Sequence, residues 1–99
     1  MCRTATHGEV VLRGELDTYT VPELDRALSD VVGEGRPRRI VVDLRGLEFI
    51  DVTGVGALVS ANNGAHRAGS ELVLRGPNKQ ARKLLEITGL DQVFTIEGC

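Results

Sequence analysis

Three carboxylates and one hydroxyl carry most of the chemistry this chain could do. Asp17 follows the apolar run of EVVLRGEL. Asp51 follows IVVDLRGLEFI, and Thr53 stands two residues further on, just ahead of Gly54 and Gly56. Asp43 lies inside the second run. A Mg²⁺ pocket of the phospho-aspartate receiver kind needs an adjacent acidic pair ending the first main strand, and the sequence has none. A hydrolase would need a base beside the Thr53 hydroxyl. Neither His7 nor His66 is placed to serve, and there is no G-x-S-x-G. Gly54-Val55-Gly56 opens like the dinucleotide motif G-x-G-x-x-G, but its third position is Val59, which does not permit the close helix packing that motif requires. His7, His66, Cys2 and Cys99 show no metal-ligand spacing. No catalytic residue, metal site or cofactor is therefore expected. Two readings of Thr53 remain: part of an ordinary helix start of the Asp-x-Thr kind, or a hydroxyl that receives a phosphate. At a helix start the phosphate would meet unsatisfied N–H groups and the positive end of the dipole. It would add roughly −1.5 to −2 charge beside Asp17 and Asp51.

Composition narrows the classes further. Ninety-nine residues suffice for one domain, residues 1–99, with a modest core. A net charge of −2 argues against a nucleic-acid binder; the one basic cluster, Arg36, Arg38 and Arg39, reads as a solvated loop before a strand. Three aromatic residues, Tyr19, Phe49 and Phe94, are too few for a base-stacking platform. No run of about 18 apolar residues suggests a membrane span, and no apolar h-region opens the chain. The expected location is the cytoplasm, with Cys2 and Cys99 both reduced.

The elements that must position Asp17, Asp51 and Thr53 follow from periodicity. A weak first strand near Arg3–Thr6 and a His7-Gly8 turn lead into a strand over Glu9–Gly14. Thr20 and Glu23 have capping-box spacing, Pro22 suits a first helical turn, and Val21, Leu24, Leu28 and Val31 recur at helical intervals up to Gly33. Arg39–Leu44 is nearly continuous in apolar residues and reads as a strand covered on both faces. A second helix is expected over about Thr53–Arg67, with Val55, Leu58, Val59 and Asn62 or Ala65 inward. A strand over Glu71–Gly76 follows. A third helix starts at Pro77-Asn78 and stops at Gly89, and QVFTI reads as the last strand. Strands alternating with helices imply an α/β fold with a mostly parallel sheet and right-handed crossovers. Function in such sheets gathers beyond the carboxyl ends of the strands, where Asp17 and Asp51 fall.

RGELDTYTVPEL and IVVDLRGLEFIDVTGVGALV together resemble the STAS domain, in particular the bacterial anti-sigma factor antagonists. Gly14-Glu15-Leu16-Asp17 is similar to that family's G-x-L-D, and Asp51 to Gly56 to its D-[small]-[ST]-G-x-G. LLEITGLDQVFTI resembles its third helix, glycine stop and last strand. The resemblance implies a single-domain STAS-like fold: a mostly parallel sheet of four to five strands, the first antiparallel, with three helices. It implies a binding protein, not an enzyme. The unphosphorylated antagonist binds an anti-sigma factor serine/threonine kinase and so frees a sigma factor. The kinase then phosphorylates the hydroxyl residue, here Thr53, and a metal-dependent phosphatase resets it. Asp17, Asp51, Val52, Gly54, Val55 and Gly56 would form the partner surface, the two glycines letting a partner backbone approach closely. No nucleic acid, membrane or cofactor is implied. Threonine also occurs at this position in STAS scaffolds and in STAS subunits of ABC lipid transporters, which leaves an alternative in which Thr53 is an interface residue and not a phosphoacceptor.

Overall fold

Alternation makes β2, Glu9–Leu16. Val10, Leu12 and Leu16 are fully buried, while Arg13 and Glu15 stay exposed, as in a strand with one apolar face. The structure, a computed structural model, describes residues 2–6, 8–33, 35 and 37–98. His7 of the hairpin turn, Arg36 of the basic cluster and Cys99 lie outside the described residues. Strand β1, Cys2–Thr6, pairs antiparallel with β2. Strands β3 (Arg39–Ile50), β4 (Glu71–Arg75) and β5 (Thr95–Glu97) add in parallel, giving the order β1-β2-β3-β4-β5. Helices α1 (Val21–Gly33), α2 (Val52–Arg67) and α3 (Lys79–Ile87) connect them. The architecture expected from the sequence is thus observed: among the described residues there are five strands, the first antiparallel, and three α-helices.

Right-handed crossovers that always step to the next strand put all three helices on one face of the sheet. The core lies there. Leu24, Ala27 and Val31 of α1, Val55, Leu58 and Ala65 of α2, and Ala81 and Leu85 of α3 pack on Val10, Leu12, Ile40, Val42, Leu72 and Leu74.

Strand β3 is covered on both faces, as expected, but the cover on the other face is not helical. Val41 and Val73 are register partners on that face, 8% and 0% exposed, and neither joins the helix-side core. Charged arms roof them over. Arg75 bonds Glu9 at 3.2 Å and Glu97 at 3.0 Å, Arg39 also pairs with Glu97, and Arg45 holds Asp43 at 2.8 Å. Arg39, the first residue of the expected strand, opens β3, and its side chain closes this lattice instead of standing free in solvent. Long side chains can cover apolar surface with their stems and keep their heads in water.

The lattice makes stability depend on pH. The Arg45 guanidinium hydrogen-bonded to Asp43 holds that carboxyl below its ordinary range, and Arg75 does the same for Glu97. A carboxyl depressed in the folded state stabilises the fold above its unfolded pKa, near pH 4, and that stabilisation is lost as pH falls through the folded value. The urea midpoint is therefore expected to fall as pH drops from about 5 towards 3. Arg45→Ala should flatten that slope; an unchanged slope would show that the Asp43 pair contributes nothing.

The largest boundary differences from the sequence expectation are in β2, β3 and the last strand. β2 runs two residues further, to Leu16, and β3 continues through RGLEFI to Ile50, because their pairing resumes after each irregularity. The last strand is shorter than QVFTI. Leu90–Gln92 form a 3₁₀ turn, Phe94 enters the core, and only Thr95–Glu97 pair with β4.

Candidate functional site

Strands β2 and β3 end side by side. Leu16 pairs with Ile50, and the Asp51 N–H donates to the Leu16 carbonyl at 3.2 Å. The segments that leave the sheet next, Asp17 to Thr20 and Asp51 to Thr53, therefore emerge together. Two register shifts on β3 produce this alignment, and Gly14 sits at the second, where Glu48 is passed over, with φ 82°. That left-handed angle is costly for a residue with a Cβ, so the glycine of Gly14-Glu15-Leu16-Asp17 has a local reason.

Both aspartates shape backbone. Asp51 caps α2: its extended backbone enters the helix and its Oδ1 accepts from the Gly54 N–H at 2.8 Å. Asp17 Oδ1 accepts from the N–H groups of Tyr19 and Thr20 at 3.0 and 3.2 Å. Thr20, expected to cap α1, turns its hydroxyl back into this loop, accepting from the Asp17 N–H and donating to the Glu15 carbonyl, both at 2.9 Å. The loop is thereby held stiffly, and both aspartates remain half-buried.

Thr53 lies exposed in the first turn of α2. Its Oγ1 accepts from the Thr18 hydroxyl at 3.4 Å. This contact joins the two motifs across 35 positions. Val52 is 69% exposed, and Tyr19, next to Thr18, is 90% exposed.

The remaining motif residues face inward or are open for different reasons. Val55 is 2% exposed and packs in the core. Gly54 is buried, and a Cβ there would fall 2.5 Å from the Leu16 carbonyl oxygen and 2.8 Å from Ile50 Cγ1. It lets α2 lie directly on the ends of β2 and β3. Gly56 is exposed, and a Cβ there would meet nothing within 4 Å. Of the two glycines, only Gly56 has its helix-weakening effect unexplained by the fold.

Sequence reasoning missed Thr18 and Gln80. Strand β4 pairs with β3 only as far as Asp43. Beyond it, Asn78 Nδ2 donates to the Leu47 carbonyl at 3.1 Å. Gln80 donates to the Ile50 carbonyl at 2.8 Å and accepts from the Ile50 N–H at 3.1 Å. Two side chains at the start of α3 thus stand in for a missing strand neighbour and fix where Asp51 leaves the sheet. The signal for Thr18 was its place directly after Asp17, in a loop beyond a strand end; Gln80 carried none. Among the described residues, no three His, Cys, Asp or Glu side chains gather as a metal site.

The arrangement is an exposed hydroxyl held between two hydrogen-bonded loops. The family model described as "Mlab, STAS domain" matches residues 2–97. The anti-sigma-B factor antagonist of Listeria monocytogenes is 38% identical over 96 residues, covering 96% of this chain and 82% of that protein. The anti-sigma-B factor antagonist of Staphylococcus aureus is 36% identical over 88 residues, covering 89% and 81%. The anti-sigma factor antagonist SpoIIAA superposes in its unphosphorylated form with a TM-score of 0.76 at 24% identity, over 97% of this chain and 84% of that one. In its phosphorylated form the Bacillus SpoIIAA gives 0.70 at 24%, over 97% and 86%. An exposed Thr53 on a STAS framework, with antagonist relatives across nearly its whole length, assigns this chain to the STAS domain family, among the anti-sigma factor antagonists.

Proposed function

We propose that this chain binds an anti-sigma factor kinase while Thr53 is unphosphorylated, frees a sigma factor by doing so, and lets go when Thr53 is phosphorylated. The observation that carries the reading is the exposed Thr53 hydroxyl set among exposed apolar side chains. Of the five large apolar residues left in solvent among the described residues, Tyr19, Phe49 and Val52 lie on the segments that flank Thr53, while Ile87 and Val93 lie on and after α3. Exposed apolar and aromatic side chains near one hydroxyl are what a docking partner can bury. The partner surface on this reading comprises Asp17, Thr18, Tyr19, Asp51, Val52, Thr53 and Gly56, with Gly54 and Val55 supporting it from inside. The relatives at 36–38% identity support the partner class through their name, anti-sigma-B factor antagonist.

The chain supplies only the acceptor. In the kinase, Thr53 Oγ1 attacks the γ-phosphorus of ATP, the bond to ADP breaks, and the hydroxyl proton passes to a base on the kinase. A metal-dependent phosphatase reverses the state: water attacks phosphorus, inorganic phosphate leaves and the hydroxyl returns. This role belongs to the cytoplasm, and no described helix is long and apolar enough to cross a membrane.

Intact-mass analysis after incubation with the co-encoded kinase and ATP tests the reading. One phosphate is expected, mapped to Thr53 and absent from Thr53→Ala. An unmodified chain would sink the mechanism. A stable complex with an ABC ATPase under those conditions would turn the assignment to a scaffold in which Thr53 is an interface residue.

A further inference from the structure

Thr18 and Thr53 present two exposed hydroxyls to each other, Thr18 donating to Thr53 Oγ1 at 3.4 Å. That distance is longer than a strong O–H···O bond, which spans about 2.5–3.0 Å. In the unmodified chain the contact is therefore weak, yet Thr18 does not sit on a loose loop. Asp17 Oδ1 accepts from the N–H groups of Tyr19 and Thr20, which follow Thr18, and the Thr20 hydroxyl ties the turn to Glu15. A rotatable donor on a hydrogen-bonded turn is aimed at one oxygen that it meets only at the long end of hydrogen-bond distance.

A phosphoryl group on Thr53 changes that geometry. It surrounds the same oxygen with three strong, charged acceptors, extending the acceptor shell towards Thr18. A hydrogen bond to a charged oxygen is shorter and about twice as strong as one between neutral groups. The first turn of α2 adds two donors. Asp51 N–H is taken by Leu16 and Gly54 N–H by the Asp51 side chain, which leaves the N–H groups of Val52 and Thr53 with no acceptor among the described residues.

We propose that Thr18 is a phosphate-holding residue: its hydroxyl donates to the phosphate on Thr53 and folds it back against the loop between β2 and α1. The inference deepens the proposed function and rests on Thr53 as the phosphoacceptor. Thr18 is a positioning residue with no part in the transfer step. Its consequence is an off state in which the phosphate is held by this chain's own loop and is shielded from the phosphatase.

The test uses the full chain carrying phosphothreonine at position 53, installed during synthesis and so independent of any kinase. Four versions are compared by ³¹P NMR titration: Thr18 retained, Thr18→Ser, Thr18→Val and Thr18→Ala. A donor that favours the dianion lowers the second phosphate ionisation, so the first two are expected to titrate roughly half a unit below the last two. Phosphatase should release phosphate several-fold faster from the versions lacking the hydroxyl, with thermal midpoints unchanged. Identical titration curves in all four, or Thr18→Ser behaving like Thr18→Val, would overturn the assignment of Thr18. Failure of the kinase to label Thr53 would instead overturn the functional reading, so the two failures are distinguishable.

Discussion

Thr53→Glu is expected to bind the anti-sigma factor kinase at least tenfold more weakly than the unmodified chain, while Thr53→Ala stays within a few-fold of it. The physical reason is charge placed on a docking surface. Thr53 is exposed at the start of α2, beside the cap Asp51 and in contact with the loop that Asp17 organises. Two unit charges about 4 Å apart interact by about 4 kcal/mol at an effective dielectric near 20, and a third of that is tenfold in affinity. Docking also strips water from the added carboxylate, which raises the cost further. The fold should not suffer, because a negative charge is favourable in the first turn of a helix. Calorimetric titration against the kinase, with thermal melting alongside, separates the two effects. Equal affinity of the Glu and Ala variants would show that charge at Thr53 does not govern docking.

Gly54→Ala and Gly56→Ala are expected to act in opposite directions although the residues are two apart on one helix. At Gly54 the new methyl would lie 2.5 Å from a backbone oxygen and 2.8 Å from Ile50 Cγ1. Backbone cannot move aside cheaply, so α2 must lift from the ends of β2 and β3, at about 2 kcal/mol or more. At Gly56 the methyl meets nothing, and replacing a helical glycine should stabilise by up to about 1 kcal/mol. In a domain of this size that raises the melting midpoint by about 4–8 °C. If Gly56 is glycine so that a partner can approach the helix closely, the same Gly56→Ala change should weaken kinase binding. Higher stability with unchanged binding would leave Gly56 without a role in docking.

Much of the fold was legible because it is local. The period of two in Glu9–Leu16 and the helical spacing of Leu24, Leu28 and Val31 come from side-chain direction alone, and they placed β2 and α1 near their observed positions. A helix start near Thr53 followed from short-range chemistry; the structure puts the cap at Asp51 and Thr53 already inside the first turn. What was not legible depended on neighbours distant in sequence. An apolar triplet such as Ile40 to Val42 reads the same whether helices or charged arms lie over its second face. Sheet order and crossover hand decide which, and here Arg39, Arg75, Glu9 and Glu97 cover that face. The QVF segment is equally ambiguous, since a short apolar run suits a buried turn as well as a strand.

The candidate site divides the same way. Sequence alone determined its chemical contents: a hydroxyl two residues after an aspartate that ends one strand segment, and a second aspartate after an earlier strand. It could not say that Gly54 is needed inside and Gly56 outside, or that Gln80 completes the edge of β3. Nor could it bring Thr18 to Thr53. Those facts follow from the register that sets Leu16 against Ile50 and from α2 lying directly on that pair. Residue types and spacings are properties of the chain, whereas the approach of two loops 35 residues apart exists only once parallel strands have aligned their carboxyl ends.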